Sequence, residues 1–211
     1  MKTLQPRSYL LMSLALLAMA VLLAAPLTRT MARHMLVHIP LILASGLCMG
    51  AFLQVHAWPQ GRFLRSTRKL WGKYNELGIP GLLAGSLVAA YWMIPKSLDD
   101  ALFSSGAALG KYVSLFLAGV LLFDALRRSN RVIKLFFLGN FSWMTAIAGL
   151  LYQDATRRIC NAYLLGDQEV AGQGLVLLAI LVPLVWLILA RRQARLFSGK
   201  ARCQENKPTE C

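Results

Sequence analysis

The sequence predicts an all-α fold, a polytopic transmembrane helix bundle of about six spans with both termini in the cytoplasm. Three observations predict it. The 211 residues are 57% apolar and only 15% charged, against about 25% charge in soluble domains, and the mean hydropathy is +0.53. Apolar runs near the roughly 20 residues needed to cross a hydrocarbon core recur along the chain. The basic residues sort by loop, as they do in membrane proteins that keep positive charge on the cytoplasmic side.

The runs come in order. The first, Ser8 to Leu27, follows Lys2 and Arg7 and contains Ala-Met-Ala, which leaves a signal peptide open as an alternative. Its apolar stretch exceeds the usual 7 to 15 residues of a signal core, so it reads as a retained helix. The second runs from His34 to Val55. The third, Ile79 to Pro95, ends in Tyr91-Trp92-Met93-Ile94-Pro95. The fourth, Lys111 to Leu126, is short and interrupted by Asp124, and its limits are the least defined. The fifth is Leu135 to Gln153 and the sixth Gly172 to Ala190. Residues 1–197 therefore form one transmembrane domain, and residues 198–211, polar with Gly, Lys and Pro, read as a disordered cytoplasmic tail.

With the N-terminus inside, the cytoplasmic segments hold Lys2 and Arg7; Arg62, Arg65, Arg68, Lys69 and Lys73; Arg127, Arg128, Arg131 and Lys134; and Arg191, Arg192, Arg195, Lys200, Arg202 and Lys207. These are seventeen of the 23 Lys and Arg. The other six, Arg29, Arg33, Lys96, Lys111, Arg157 and Arg158, share the outer side with Asp99, Asp100, Asp154, Asp167 and Glu169. The net charge of +14 thus reflects topology and attraction to an anionic lipid bilayer. It does not form the basic patch with interleaved aromatics that nucleic acid would need. Of the four cysteines, Cys48 falls within the second span, Cys160 in the last outer loop, and Cys203 and Cys211 in the cytoplasmic tail, so they make no disulfide framework.

The second span carries the chemistry. His34 and His38 stand four residues apart, about one helical turn, which places them on one face at the spacing a shared metal needs. Met31 shares that face and Met35 is rotated to one side; imidazole with thioether suits copper, above all Cu(I). On a helical projection His34, His38, Ser45, Cys48, Met49 and His56 fall within roughly 100°, and polar groups in a span face protein or water rather than lipid. His56 lies about 33 Å along the helix from the pair. These are the only three histidines, so a haem held by two histidines of one chain is excluded.

Topology brings Met93, Tyr112 and nearby carboxylates to the membrane depth of the pair. The bland alternatives stay open. The histidines could hydrogen-bond backbone carbonyls or head groups, Met93 could pack at the interface, and Asp99 and Asp100 read first as a helix N-cap, with orientation of a ligand imidazole as the alternative. Asp124 reads as a local ion pair with Arg127 or Arg128, and Asp167 with Gln168 as caps of the last helix. No serine–histidine–acid or phosphate-cradling pattern stands out, so an enzyme is not expected, and a transporter lacks the broken spans it would use.

His34-Met-Leu-Val-His38 resembles the His-Met-x-x-His signature of CtaG-type cytochrome c oxidase assembly factors. Trp92-Met93-Ile94-Pro95 followed by Asp99-Asp100-Ala101-Leu102 is similar to that family's Trp-His-x-Pro segment and the run after it. Ser114 to Gly119 resembles the start of its next helix, and Asp167-Gln168-x-x-Ala171-Gly172 its entry to a late helix. The resemblance covers roughly His34 to Ile180. It implies a multi-pass inner-membrane protein that delivers copper to a respiratory oxidase subunit or another copper-accepting membrane protein. Its metal would be held by His34 and His38 with Met93 or Met31. The family's further histidines stand here as Met93 and Tyr112, and the chain is at least one span shorter, so the alternative is a metal-free interaction or scaffold subunit of a membrane complex.

Overall fold

The computed structural model describes residues 5–55, 71–155 and 158–205, and among these every regular element is a helix. They are α1 (Pro6–Leu22), α2 (Ala24–Leu27), α3 (Met31–Arg33), a π-helical turn (His34–His38), α4 (Ile39–Val55), α5 (Ile79–Trp92), α6 (Pro95–Phe103), α7 (Ser105–Arg128), α8 (Arg131–Asp154) and α9 (Leu165–Glu205). His56 and the basic residues Arg62, Arg65, Arg68 and Lys69 lie outside the described residues.

Among the described residues four helices are long and apolar enough to cross a membrane: Met31–Gln54, Ser105–Arg128, Arg131–Asp154 and Leu165–Arg191. They expose large side chains such as Leu117, Phe136, Trp143, Leu150, Leu177 and Ile180. A soluble domain does not present apolar surface on that scale. The other two expected spans are shorter helices, Arg7–Leu22 and Ile79–Trp92. The first run is divided at Leu23, where α1 stops, and Pro26 lies within the short α2 that follows. The third is cut at Met93, because Pro95 begins a separate helix and biases Ile94 to the extended conformation it adopts.

The fourth run proves longer than expected. α7 is continuous for 24 residues and is capped by Ser104, whose side chain accepts from the Ala107 amide. Asp124 does not interrupt it, because partners on other elements satisfy its carboxylate. The stretch expected to be disordered from Ser198 is helical as far as Glu205.

α7 is central and packs against α4, α5 and α6; α1 lies on α4, and α9 lies on α8 and on α3. In lipid the apolar effect does not draw helices together, so small residues that permit close backbone approach decide these pairings. A Cβ on Gly46 would stand 2.1 Å from the Phe116 carbonyl oxygen, and one on Gly119 would stand 2.3 Å from that of Leu43. Gly149 and Gly172 make the same reciprocal arrangement between α8 and α9, at 2.7 and 2.6 Å from each other's carbonyls. Gly78, at φ 74°, makes the left-handed turn into α5.

The turn at His34–His38 departs from a regular α-helix. The Ile39 amide bonds the His34 carbonyl, five residues back. Pro40 has no amide to offer Leu36, and its ring would crowd the Leu36 carbonyl in a regular turn. A widened turn just before it accommodates both effects, and such turns are frequent at functional sites.

Candidate functional site

His34, His38 and Ser45 are all fully buried, as the helical projection predicts, while Cys48 and Met49 are half-buried. The two imidazole centroids are 5.4 Å apart with the rings inclined by 37°. Between them stands Lys111, which the sequence places at the outer start of the fourth run as one of six cations on that side. The Lys111 Nζ, on the first turns of α7, is 2.9 Å from His34 Nε2 and 3.5 Å from His38 Nδ1. Lys111 is only 2% exposed. Among the described residues the only ion pair is Arg128 with Asp124, so the ammonium has neutral acceptors and no carboxylate.

The remaining hydrogen bonds determine which ring nitrogens carry protons. Tyr163 Oη donates its one proton to the Thr28 carbonyl at 3.0 Å. His34 Nδ1, 2.8 Å from the same oxygen, must therefore be the donor to it. His34 Nε2 is left with a lone pair directed at Lys111. For His38, Nε2 is 3.1 Å from the Ala20 carbonyl, which can only accept. The proton is thus on Nε2 and the lone pair on Nδ1, again toward Lys111. Tyr112 Oη donates to the same Ala20 carbonyl at 3.2 Å and lies 3.1 Å from His38 Nε2.

Both imidazoles are neutral, and both lone pairs converge on one cation position. The carbonyls that impose this come from helix ends. Ala20 is in the last turn of α1 and Thr28 follows α2, where carbonyls lack intrahelical partners.

The loop that supplies Tyr163 is tied down on three sides. Asp99 accepts from the Asn161 and Ala162 amides at 2.7 and 3.2 Å. Gln168 accepts from the Ile159 amide at 3.0 Å and donates to the Tyr152 carbonyl at 3.0 Å. Cys160 Sγ donates to the Pro95 carbonyl at 3.6 Å. Two sequence expectations are corrected here. Asp99 lies inside α6 and neither caps it nor touches an imidazole, because its carboxylate is taken up by loop amides. Gln168 holds the loop to α8 instead of capping α9, while Asp167 does sit in the first turn of α9. Burial, with the Asp99 carboxylate adding to it, pushes the Cys160 thiol up to about 12, and burial raises the Tyr163 phenol as well.

The expected sulfur ligands sit at the same end of the bundle. Met31 is fully buried in an apolar cluster with Met35, Leu98, Tyr152, Cys160 and Tyr163, and Met93 packs against that cluster. Met93 Sδ is 4.0 Å from Thr145 Oγ1, whose proton goes to the Phe141 carbonyl at 2.7 Å, and the Met93 carbonyl accepts from Tyr152 Oη. Among the described residues no group of three His, Cys, Asp or Glu side chains comes together. The pair is joined by Lys111, Tyr112 and Tyr163.

At the other end of α7 is a polar cluster of which the sequence predicts one ion pair. Asp124 does pair with Arg128 at 2.9 Å. It also accepts from Gln54 Nε2 at 2.6 Å, Asn75 Nδ2 at 3.1 Å and Trp71 Nε1 at 3.2 Å. Asn75 in turn accepts from the Gly81 amide at 3.2 Å. The expected i, i+4 spacing identified one of four donors. Compared with protein-family profiles, with curated proteins and with solved structures, the chain matches none of them.

Proposed function

We propose that the chain is a six-span protein of the cell inner membrane, with both termini cytoplasmic, that takes Cu(I) between His34 and His38. It would hand the ion to a respiratory cytochrome c oxidase subunit or another copper-accepting membrane protein, as its resemblance to CtaG-type assembly factors suggests. The observation that carries this reading is the convergence of two imidazole lone pairs on one cation position, with each opposite ring nitrogen anchored to an oxygen acceptor. Metal-binding histidines are held in this way, because the outer hydrogen bond fixes the tautomer and aims the ring. Neutral imidazole suits a soft monovalent ion.

Adding α1 and α5 to the four longer helices makes six crossings, and the loop distribution of Lys and Arg favours cytoplasmic termini. Met31 and Met93, in and against the cluster that contains Tyr163, supply thioethers for ligand exchange. Exchange leaves the oxidation state of copper unchanged and forms no covalent bond to the protein. The test is copper analysis of detergent-purified protein after anaerobic Cu(I) loading. Wild type should retain about one copper per chain and His34→Ala/His38→Ala none. Wild type without copper above background overturns the reading.

A second reading, a metal-free interaction or scaffold subunit, is favoured by Lys111 itself, which already supplies a cation to both lone pairs. Under it, His34→Ala and His38→Ala leave partner pull-down and oxidase activity intact.

A further inference from the structure

We infer that Lys111 is a displaceable occupant of the imidazole pair, which weakens metal binding there and so favours release. The inference rests on the Cu(I) reading above and adds the means by which that site would be kept empty or emptied. Nζ stands between the two lone pairs, at 2.9 and 3.5 Å. A metal ligated by both nitrogens needs the same position. Metal and ammonium are both cations, and at such separations in a site shielded from water they repel strongly. The two states are therefore exclusive: either Lys111 holds the lone pairs or the ion does.

The surroundings make the exchange asymmetric. Lys111 is 2% exposed, has no carboxylate partner among the described residues, and has as its other electrostatic neighbour the Tyr112 ring, whose centroid is 5.4 Å from Nζ. Its four-carbon stem lets the head group withdraw without moving α7. The histidines cannot withdraw in that way, since Tyr163, Ala20 and the π-helical turn hold them. An ion that enters must displace two hydrogen bonds and drive out a charge. An ion that leaves is replaced by a donor already tethered to the chain. The site thus binds more weakly than its two imidazoles alone would, a property that suits transfer to an acceptor more than storage.

The opposite role for Lys111, a third ligand through its neutral amine, makes the opposite prediction. The experiment is an anaerobic Cu(I) competition titration of the full chain in detergent against a chromophoric Cu(I) chelator, comparing wild type with Lys111→Leu. Leucine removes the charge and brings no ligand atom, whereas methionine would add a thioether that itself binds Cu(I). Lys111→Gln, which can donate to an imidazole without charge, is the second variant and carries the comparison if Lys111→Leu does not purify as a monodisperse helical protein. Binding at least tenfold tighter in the neutral variant supports the inference. Equal affinity overturns it and leaves the Cu(I) reading standing. Weaker binding overturns it in favour of an amine ligand. If folded wild type and folded variants all fail to bind copper, the Cu(I) reading falls and this inference with it.

Discussion

The two ends of α7 resolve the same physical problem, an ionised side chain withdrawn from water, in opposite ways. At one end Asp124 meets four donors from α4, the 71–75 segment and its own helix, and one of those donors is the cation Arg128. Its charge is compensated and its acceptor capacity filled. At the other end, about 20 Å away along the helix, Lys111 meets two neutral imidazoles and no carboxylate. Its hydrogen bonds are made but its charge is not balanced. A saturated carboxylate of the first kind works as a staple between elements. An uncompensated buried cation is expensive to keep in a span, and such an arrangement is the mark of a site where something binds or moves.

The largest expected effect tests that contrast directly. Asp124→Ala leaves Gln54, Asn75 and Trp71 without their shared acceptor, and should lower stability by about 3 kcal/mol, at about 1 kcal/mol per lost hydrogen bond. Lys111→Met removes a buried charge and leaves a side chain of similar length; replacements of this type are commonly neutral or stabilising. It should therefore unfold within about 1 kcal/mol of wild type, or later. Thermal and denaturant unfolding of the three proteins in one detergent measures both. A Lys111→Met loss as large as that of Asp124→Ala would mean that the histidine end is a staple too.

A smaller effect sharpens the comparison within the histidine end. Asp99 is itself a saturated carboxylate, but one that holds a loop instead of a helix. Asp99→Ala should cost about 2 kcal/mol and speed hydrogen exchange at the Asn161 and Ala162 amides, with the α4–α7 contact protected as before. Since the same loop carries Tyr163, the His34 ring should lose its anchor. Exchange confined to the loop supports this hierarchy. Exchange spread through α4 and α7 would show that the loop and the bundle unfold together.

These contrasts explain what could be read from the chain and what could not. The helices were legible because apolar runs of bilayer length have few alternatives. Their ends were less so: the division at Leu23 and the stop at Trp92 depend on local proline effects at Pro26 and Pro95. The histidine pair was legible from a four-residue spacing, and its burial followed from the polar arc of Ser45, Cys48 and Met49. Lys111 was not, since a lysine at the start of an apolar run resembles any flanking cation, and it lies 77 residues from His34. Its position depends on how α7 packs against α4, which glycines at 46 and 119 decide. Pro40 was the available signal for the widened turn, just beyond His38. Asp124 shows the same limit: Arg128 could be found by spacing, whereas Gln54, Trp71 and Asn75 come from other elements.

The smallest effect concerns the thiol that closes the loop. Cys160 is buried against the apolar cluster, donates to the Pro95 carbonyl and lies close enough to the Asp99 carboxylate to feel its charge. Its thiol, ordinarily near 9.0, is held up to about 12 in the folded chain. A raised acid of this kind keeps its proton in the folded state while the unfolded chain releases it. The stability it contributes is therefore fully present below pH 9.0 and is lost progressively as the pH rises toward 12. Tyr163 adds to the same trend, since burial also raises its phenol. In Cys160→Ser position 160 no longer titrates and only the Tyr163 contribution is left, so this variant should show a shallower loss of stability between pH 9 and 11 than wild type. At pH 8 the native thiol should resist maleimide, because the reactive thiolate is scarce. Rapid labelling at pH 8 by a protein that retains its Asn161 and Ala162 amide protection would refute the burial of this thiol, and with it the claim that the loop is anchored at Cys160.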